Sequence, residues 1–466
     1  MTARLPGMTW LALVCAAALV LVSCDETPTD IGMMAADLET RLAAPAAADA
    51  AAPDDVVDLA SGFGAALAGA VLAQDSYAAA TAAEAAVTAQ VRVAQSVRRP
   101  QASGNLNMGG VRETGGAGAD ETTTGAAATI TASQLIYDGG ESTAAVNRAT
   151  AEVLAARADR EVLGNELALG AATAWIDLWQ YGERIALLRG RAAELDAMIV
   201  QMERMAANGF VDRAAVEGAR RQIVEIALEE TRLDLDLSEA RVRFAQFFGH
   251  VPASVAQPPD LLSEADLGAA VTGWRDAPSL RRTGAQVLVA ETEVAIAAAA
   301  YRPRVRMQAG LGSPMDEDDP FSASAGIMVD MVLVDGDRRA AEVDGASAGL
   351  AAAEATLDDA LRAMDARLAV ALDRLAAVEA SMPLVAEQIR LSAAEAETAR
   401  AQIATGQSTI RQLVDAEVEA YRAEDRLIAM RAERQMLLLT IAAETGVLGR
   451  RIGLSLGETA VEGAAE

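Results

Sequence analysis

The sequence contains no lysine and one histidine, and aromatic residues account for only 3% of its 466 positions. It has two cysteines, of which Cys15 lies in a predicted leader, so the mature chain keeps only Cys24. These shortages exclude a disulfide framework, a cysteine–histidine metal cluster and a cysteine–histidine nucleophile pair. His250 follows a predicted helix end at Gly249, where we expect a capping or surface residue. We therefore expect no enzyme activity, no metal site and no cofactor.

Basic residues are also scarce relative to acidic ones. The formal net charge of −28 argues against nucleic-acid binding, because phosphate contacts need a basic surface. Apolar residues make up 52% of the chain and are mostly alanine and leucine, which is typical of long helices packed through small side chains.

The N-terminal segment has the pattern of an export signal. In residues 1–23, Arg4 precedes an apolar run that is short for a membrane span. The run ends in Leu21-Val22-Ser23-Cys24, which resembles the lipobox of bacterial lipoproteins and implies cleavage before Cys24 and lipidation of its thiol. A transmembrane anchor or a signal cut elsewhere are the alternatives. Residues 24–55 are rich in Ala, Asp, Pro and Thr, which predicts a flexible tether.

The rest of the chain is organised as a duplication. Segments 137–249 and 334–446 have equal lengths, and each opens with an Asp-Gly turn and closes at a glycine. Each also breaks its helical pattern at the same internal position, at Asn208-Gly209 in the first and at Thr405-Gly406 in the second. These coincidences predict a duplicated helical hairpin, with helices over 138–248 and 335–445.

Alternating segments come before each hairpin. They predict four strands, at about 101–111, 124–137, 304–312 and 322–334. Alternation over this length with polar loops is typical of membrane β-strands, although a soluble hairpin with one wet face alternates in the same way. Four strands cannot close a membrane barrel, so spanning strands would have to be pooled among several copies of the chain.

Helical patterns lead into each strand pair, over 56–99 and over 278–302. The predicted helices over 211–248 and 278–302 together nearly match the length of the helix over 138–207. We therefore expect two shorter helices, stacked end to end, to lie beside one long helix. Pro383 falls inside the second long helix and predicts a kink there.

These patterns divide the chain into six parts. They are a signal peptide over 1–23, a lipidated tether over 24–55, a first repeat over 56–249, a less regular linker over 250–277, a second repeat over 278–449 and a tail over 450–466.

The plan of residues 56–450 resembles the TolC-type outer membrane factors of efflux pumps and type I secretion systems. The likeness is sharpest in the segment from Thr405 to Ala416, in the closing segment from Thr445 to Gly449, and in the helix-to-strand passage from Ala298 to Gly312. It implies a mainly helical fold with a membrane β part, in which three copies form a twelve-stranded β-barrel and a trimeric α-barrel. It also implies an outer-membrane location, with the chain lipid-anchored, membrane-spanning and extended into the periplasm.

The resemblance implies sites and partners as well. The hairpin turns would be periplasmic tips that contact an adaptor (membrane fusion) protein, through Asn208, Gly209, Phe210, Thr405, Gly406, Gln407 and Ser408. The other implied partners are an inner-membrane RND or ABC transporter and outer-membrane lipid, with no nucleic acid. Where the family has two aspartates one helical turn apart at its pore constriction, this sequence has Gln412 and Asp415, so the implied acidic ring is weaker.

Two functions remain open on this evidence. The first is the outer-membrane channel of a tripartite efflux or type I secretion system, acting as a passive export duct. The alternative is a periplasmic coiled-coil lipoprotein that acts as an adaptor or structural spacer, in which case the strands would be soluble.

Overall fold

A computed structural model describes residue 59 and residues 62–113, 121–208, 213–313, 321–403 and 409–454. All of them belong to one unit, residues 55–466. The predicted signal peptide, Cys24 and the tether over 24–55 lie outside the described residues.

The first repeat begins with two helices, where the sequence suggested one over 56–99. Helix α1 spans Phe63–Leu72 and helix α2 spans Asp75–Ser96. The break occurs because Gln74 adopts an extended backbone conformation, with φ −83° and ψ 126°. The break allows α1 to bury Phe63 and Leu67 in the core. The sequence gives no signal for it, because neither glycine nor proline occurs at residues 73 and 74.

The first strand pair and the first helical hairpin follow. Strand β1 spans Gln101–Glu113 and strand β2 spans Glu121–Tyr137. The long helix α3 spans Glu141–Ala207 and helix α4 spans Arg213–Phe248. Since Pro100 lacks a backbone N–H and disfavours helix in the residue before it, the change from α2 to β1 falls where the sequence predicts.

The linker over 250–277 is more regular than expected. Helix α5 spans Glu264–Thr272, followed by one 3₁₀ turn over Trp274–Asp276. The Ser263 hydroxyl accepts a hydrogen bond from the Asp266 backbone N–H, and the Asp266 carboxylate accepts one from the Ser263 backbone N–H. This reciprocal capping satisfies two amides that would otherwise lack partners at the start of the helix.

The second repeat repeats the order of the first. Its elements are α6 over Pro278–Ala299, β3 over Arg304–Ser313, β4 over Ser322–Asp330, α7 over Arg338–Ile403, α8 over Ile410–Glu444 and α9 over Val447–Arg451. Helix α7 continues through Pro383, where the sequence predicts a kink.

The strand predicted over 322–334 ends early, at Asp330. Asp330 pairs with Arg304, which is the first residue of β3, so the next residues of the chain have no strand beside them. Residues 331–334 continue the alternation of the sequence but lie outside the sheet. The alternation therefore marked the face correctly and the end of the strand incorrectly.

The backbone confirms the duplication. Positive φ angles occur at Gly139, Gly140 and Gly249 in the first repeat, and they recur 197 positions later in the second. The recurring residues are Gly336, Asp337 and Gly446, with φ of 63°, 67° and 73°. Left-handed backbone is costly for most L-residues, and Asp is among the few that tolerate it.

Helices α4 and α6 both pack along α3, as expected for end-to-end stacking. Arg189 of α3 pairs with Glu230 of α4, with 2.7 Å between Nε and Oε1. Arg148, nearer the start of α3, lies 3.6 Å from Glu293 of α6. Between these levels, the rings of Trp175, Phe244 and Phe248 form the centre of the main core.

The four strands form a single antiparallel sheet in the order β1-β2-β3-β4. The two strand pairs of the duplication are joined through β2 and β3, which pair from Ala128 opposite Ser313 to Tyr137 opposite Val305. The register shifts between Leu135 and Tyr137, which is a β-bulge at the helical end of the sheet.

Candidate functional site

One face of the sheet is apolar across all four strands, and we call it the apolar face. Its members are Ala102, Gly104, Leu106 and Met108 of β1, Ala126, Ala128, Ile130 and Ala132 of β2, Val305, Met307, Ala309 and Leu311 of β3, and Ala323, Ala325, Ile327 and Val329 of β4. Gln134 interrupts it near the helical end. Met108 is 78% exposed and Ile327 is 72% exposed, so the chain leaves these side chains uncovered.

The opposite side, which we call the polar face, carries mostly hydroxyl, amide and charged side chains. Its rows pair Ser103 with Thr131 and Asn105 with Thr129, and they continue to Ser324 and Ser322 of β4. Because successive side chains of a strand point to opposite faces, a slip of one residue would mix the two faces. The pairing therefore preserves the separation that the sequence predicts.

The two faces have different consequences in water. Soluble monomers rarely expose a continuous apolar patch of this extent, so the apolar face requires lipid or protein against it. The sheet also ends in two outer strands, β1 and β4, which have no neighbour on their far sides within the described chain. Unpaired strand edges are not tolerated in lipid, because their amide groups would lack hydrogen-bond partners.

Two aspartates anchor the junctions between sheet and helices at equivalent positions of the repeats. Asp138 Oδ2 accepts a hydrogen bond from the Ser142 backbone N–H at 2.7 Å, and Asp335 Oδ2 accepts one from the Arg339 backbone N–H at 3.2 Å. Burial opposes ionisation of Asp138, but hydrogen bonds from Ser142 and Gly140 outweigh it and lower its pKa. The side-chain hydrogen bond from Arg339 lowers the pKa of Asp335.

Ion pairs join the two helical hairpins. The Arg184 guanidinium of α3 binds both carboxylate oxygens of Asp425 of α8, at 2.7 and 3.0 Å. One heptad further along α3, Arg191 lies 2.9 Å from Glu424. Burial, together with the charge of Asp425, raises the pKa of the neighbouring Tyr421 to about 12.

Sequence reasoning did not find these ion pairs. Arg184 and Asp425 are 241 positions apart, and each is indistinguishable in the sequence from a solvated charge on a helix surface. Spacing gives no signal either, because the two arginines are seven residues apart on one helix and the two carboxylates, Asp425 and Glu424, are adjacent on the other. The sequence does not say which two helices are adjacent.

The two residues predicted at the pore constriction make different contacts in the structure. Gln412 belongs to a capping box, in which its Oε1 accepts a hydrogen bond from the Thr409 backbone N–H at 3.0 Å. Asp415 is exposed and lies 3.8 Å from Arg411, one turn before it on the same helix. Gln412 therefore stabilises the start of α8, and Asp415 lies exposed on the surface of the same helix.

Most of the predicted tip residues lie outside the described residues. Asn208 is the exception, and its side-chain amide donates a hydrogen bond to the Arg204 carbonyl at 2.9 Å, which caps the end of α3. The predicted contacts Gly209, Phe210 and residues 405–408 have no described structure.

No helix in the described ranges combines the length and the apolar character that a membrane span needs.

Comparison with known proteins agrees with this architecture. Residues 275–447 match the family model of outer membrane efflux proteins. No curated protein sequence matches the chain. Several solved structures share its fold at low sequence identity.

The similar structures include outer-membrane proteins and membrane channels. CusC has a TM-score of 0.74 at 14% identity, over 85% of this chain and 94% of that one. The outer membrane protein VceC of Vibrio cholerae has a TM-score of 0.73 at 17% identity, over 82% and 95% of the two chains. The MtrE channel of Neisseria gonorrhoeae in its open state has a TM-score of 0.69 at 16% identity, over 84% and 91%.

The second repeat thus carries an outer membrane efflux protein domain, and the described chain has the fold of that class of channels. The resemblance to TolC-type outer membrane factors that the sequence suggested is confirmed, as is the duplicated, mainly helical fold with its strand pairs.

Proposed function

We propose that the protein is the outer-membrane channel of a tripartite efflux or type I secretion system. It would act as a passive export duct, docked to a periplasmic adaptor and an inner-membrane RND or ABC transporter. The observation that carries this proposal is the two-faced sheet. A face of exposed apolar side chains suits lipid, and a face of hydroxyl and amide side chains suits water.

Three copies would complete the structure. Strand β1 of one copy would pair with β4 of the next, so that twelve strands close and no edge is left in lipid. The helices offer a matching seam, because α4 exposes Leu228, Leu235 and Val242 at heptad spacing. Helix α7 exposes Leu384 and Leu391 at the same spacing. Exposed heptad stripes of this kind pack against a partner helix.

The distal hairpin turns would be the adaptor contacts, through Asn208, Gly209, Phe210 and residues 405–408. Gating would follow if the adaptor bound the splayed arrangement of the tips more tightly than the closed one. Asp415, exposed near the start of α8, would line the opening there. Because the side chain of Gln412 is uncharged and caps α8, Asp415 would be the acidic group of the predicted constriction.

Lipidation at Cys24 would add an anchor on the periplasmic side of the outer membrane, and it separates the proposal from the alternative. A periplasmic lipoprotein spacer depends on its lipid for membrane attachment, whereas a spanning barrel does not. The test is a Cys24→Ser variant expressed with a cleavable signal that needs no lipobox, followed by alkaline carbonate extraction of the membranes.

The channel predicts that the Cys24→Ser protein stays in the carbonate-resistant pellet with the wild type. Its release into the soluble fraction, with the wild type retained, would favour the spacer. A known peripheral lipoprotein carrying the same cysteine substitution serves as the control for complete release.

A further inference from the structure

The polar face carries an exposed arginine near its helical end. Arg306 is the third residue of β3, and the register places it opposite Met328 of β4 and Leu135 of β2. Neither neighbour is charged. Arg306 is exposed, and no described carboxylate forms an ion pair with it.

The arginine two residues earlier on the same strand has an ion-pair partner. Arg304 pairs with the Glu141 carboxylate at the start of α3, and across the sheet it lies opposite Asp330. Arg304 thus has an ion-pair partner and a carboxylate residue directly opposite it, whereas Arg306 has neither among the described residues. The two arginines differ in what they present to the space in front of the polar face.

Most other described side chains of the polar face are uncharged. They are Gln101, Ser103, Asn105, Asn107, Ala127, Thr129, Thr131, Ser133, Leu135, Gln308, Ser322, Ser324 and Met328, with glycines between them. The charged ones are Arg304, Arg306 and Asp330. Arg304 and Asp330 lie opposite each other, whereas Arg306 lies opposite uncharged residues on both neighbouring strands, in a chain whose net charge is −28.

We propose that Arg306 is a selectivity residue, and that three copies of it form a ring which favours anionic solutes at the helical mouth of the β-barrel. This inference rests on the proposed function, because it needs three chains around one lumen. The residue lies two steps into β3, about 7 Å from the strand end at about 3.4 Å per residue. A charge ring at a pore mouth raises the local concentration of ions of opposite sign.

The proposal reverses the expectation from overall charge. The acidic surplus of the chain predicts a preference for cations wherever carboxylates line the lumen, but the residues directly opposite Arg306 carry no carboxylate. An anionic solute leaving the helical tunnel would meet the Arg306 ring before the neutral hydroxyl and amide surface of the barrel. The favoured cargo class is accordingly anionic.

The test is the reversal potential of the purified full-length protein in a planar lipid bilayer, under a gradient of potassium chloride. The variants are Arg306→Gln, which removes the charge, Arg306→Glu, which reverses it, and Arg306→Lys, which keeps it. Arg362→Gln, on the exposed surface of α7 where Arg362 pairs with Asp359, is the matched control.

We expect the chloride-to-potassium permeability ratio to fall roughly twofold or more in Arg306→Gln, since the ring lies within about one Debye length of the lumen. It should fall further in Arg306→Glu and stay near the wild-type value in Arg306→Lys and Arg362→Gln. Conducting channels whose ratio is unchanged in Arg306→Gln and Arg306→Glu would overturn the selectivity ring and leave the channel intact. A reconstituted protein that never conducts would overturn the channel, and the ring with it.

Discussion

At the scale of single residues, the junction between sheet and helix depends on a few hydrogen-bonded side chains. Asp138 holds the first turn of α3 through the backbone N–H groups of Gly140 and Ser142. Arg98 donates a hydrogen bond to the Ser142 hydroxyl at 3.0 Å and so ties the end of α2 to the same turn. Loss of Asp138 would leave these helix-start amides without their acceptor.

Asp138→Ala should therefore destabilise the protein by about 1 kcal/mol at pH 7, as loss of a helix-start acceptor typically does. The pKa of Asp138 is lowered in the folded state, so its stabilisation is present above the unfolded-state pKa and is lost as pH falls through the folded-state pKa. The difference in melting temperature between wild type and variant should accordingly shrink below about pH 4.

The measurement is thermal unfolding in detergent at pH 7 and pH 3. Asp344→Ala, at an exposed position of α7, is the matched control and should melt with the wild type at both values. An Asp138→Ala variant that melts with the wild type at pH 7, or that differs equally at both, would contradict the assigned role.

The roles of individual residues were harder to predict from the sequence than the fold. The duplication correctly marked the turns at Gly139 and Gly336, because glycine and aspartate at corresponding positions have a local cause in the backbone. It did not reveal that Gln412 caps α8, although a threonine followed three residues later by a glutamine is the sequence pattern of a capping box. Family resemblance drew attention to the pore and away from this local hydrogen bond.

At the scale of elements, the two faces of the sheet predict that adjacent residues differ in how well they tolerate a charged side chain. Leu106→Arg would place a charge on the apolar face, which costs about 2–4 kcal/mol near the middle of a bilayer. Asn105→Arg would place the same side chain on the polar face, in water, and should be nearly neutral. The two residues are neighbours on β1, so they share depth, strand and substitution.

The measurement is the yield of folded, protease-resistant protein after refolding into lipid vesicles. We expect Leu106→Arg to lose most of the folded product and Asn105→Arg to retain it. Equal yields from the two variants would show that the apolar face does not contact lipid.

Helices and strands were predicted well where a local sequence pattern sets them. Their ends were predicted poorly where contact with another element sets them. Alternation correctly gave all four strands, and proline gave the helix-to-strand change at Pro100. The end of β4 at Asp330 depends on where β3 begins, and the break at Gln74 depends on the core that α1 joins. Neither fact is present in the segment itself.

At the scale of the whole molecule, the single chain is incomplete in two matching ways. Among the described residues, β1 and β4 have no neighbouring strand on their outer sides, and helices α4 and α7 expose heptad stripes. In the proposed channel, rotation of identical copies about one axis would leave no edge in lipid and would cover the stripes. The ion pairs of Arg184 and Arg191 would then hold the two hairpins of each copy together as one sector of the ring.

The most direct test of this closure is an inter-subunit disulfide scan. Ser103→Cys on β1 is combined with cysteine at each position from 322 to 326 of β4, and the oxidised protein is analysed on denaturing gels without reductant. Within one chain these strands are separated by β2 and β3, about 14 Å at the usual strand spacing, which is too far for a disulfide. The wild type and each single cysteine variant control for Cys24.

The account predicts that at least one double variant gives a reductant-sensitive ladder that stops at three chains. Ladders absent from every pair, with the protein folded in the membrane, would contradict a barrel closed by three copies.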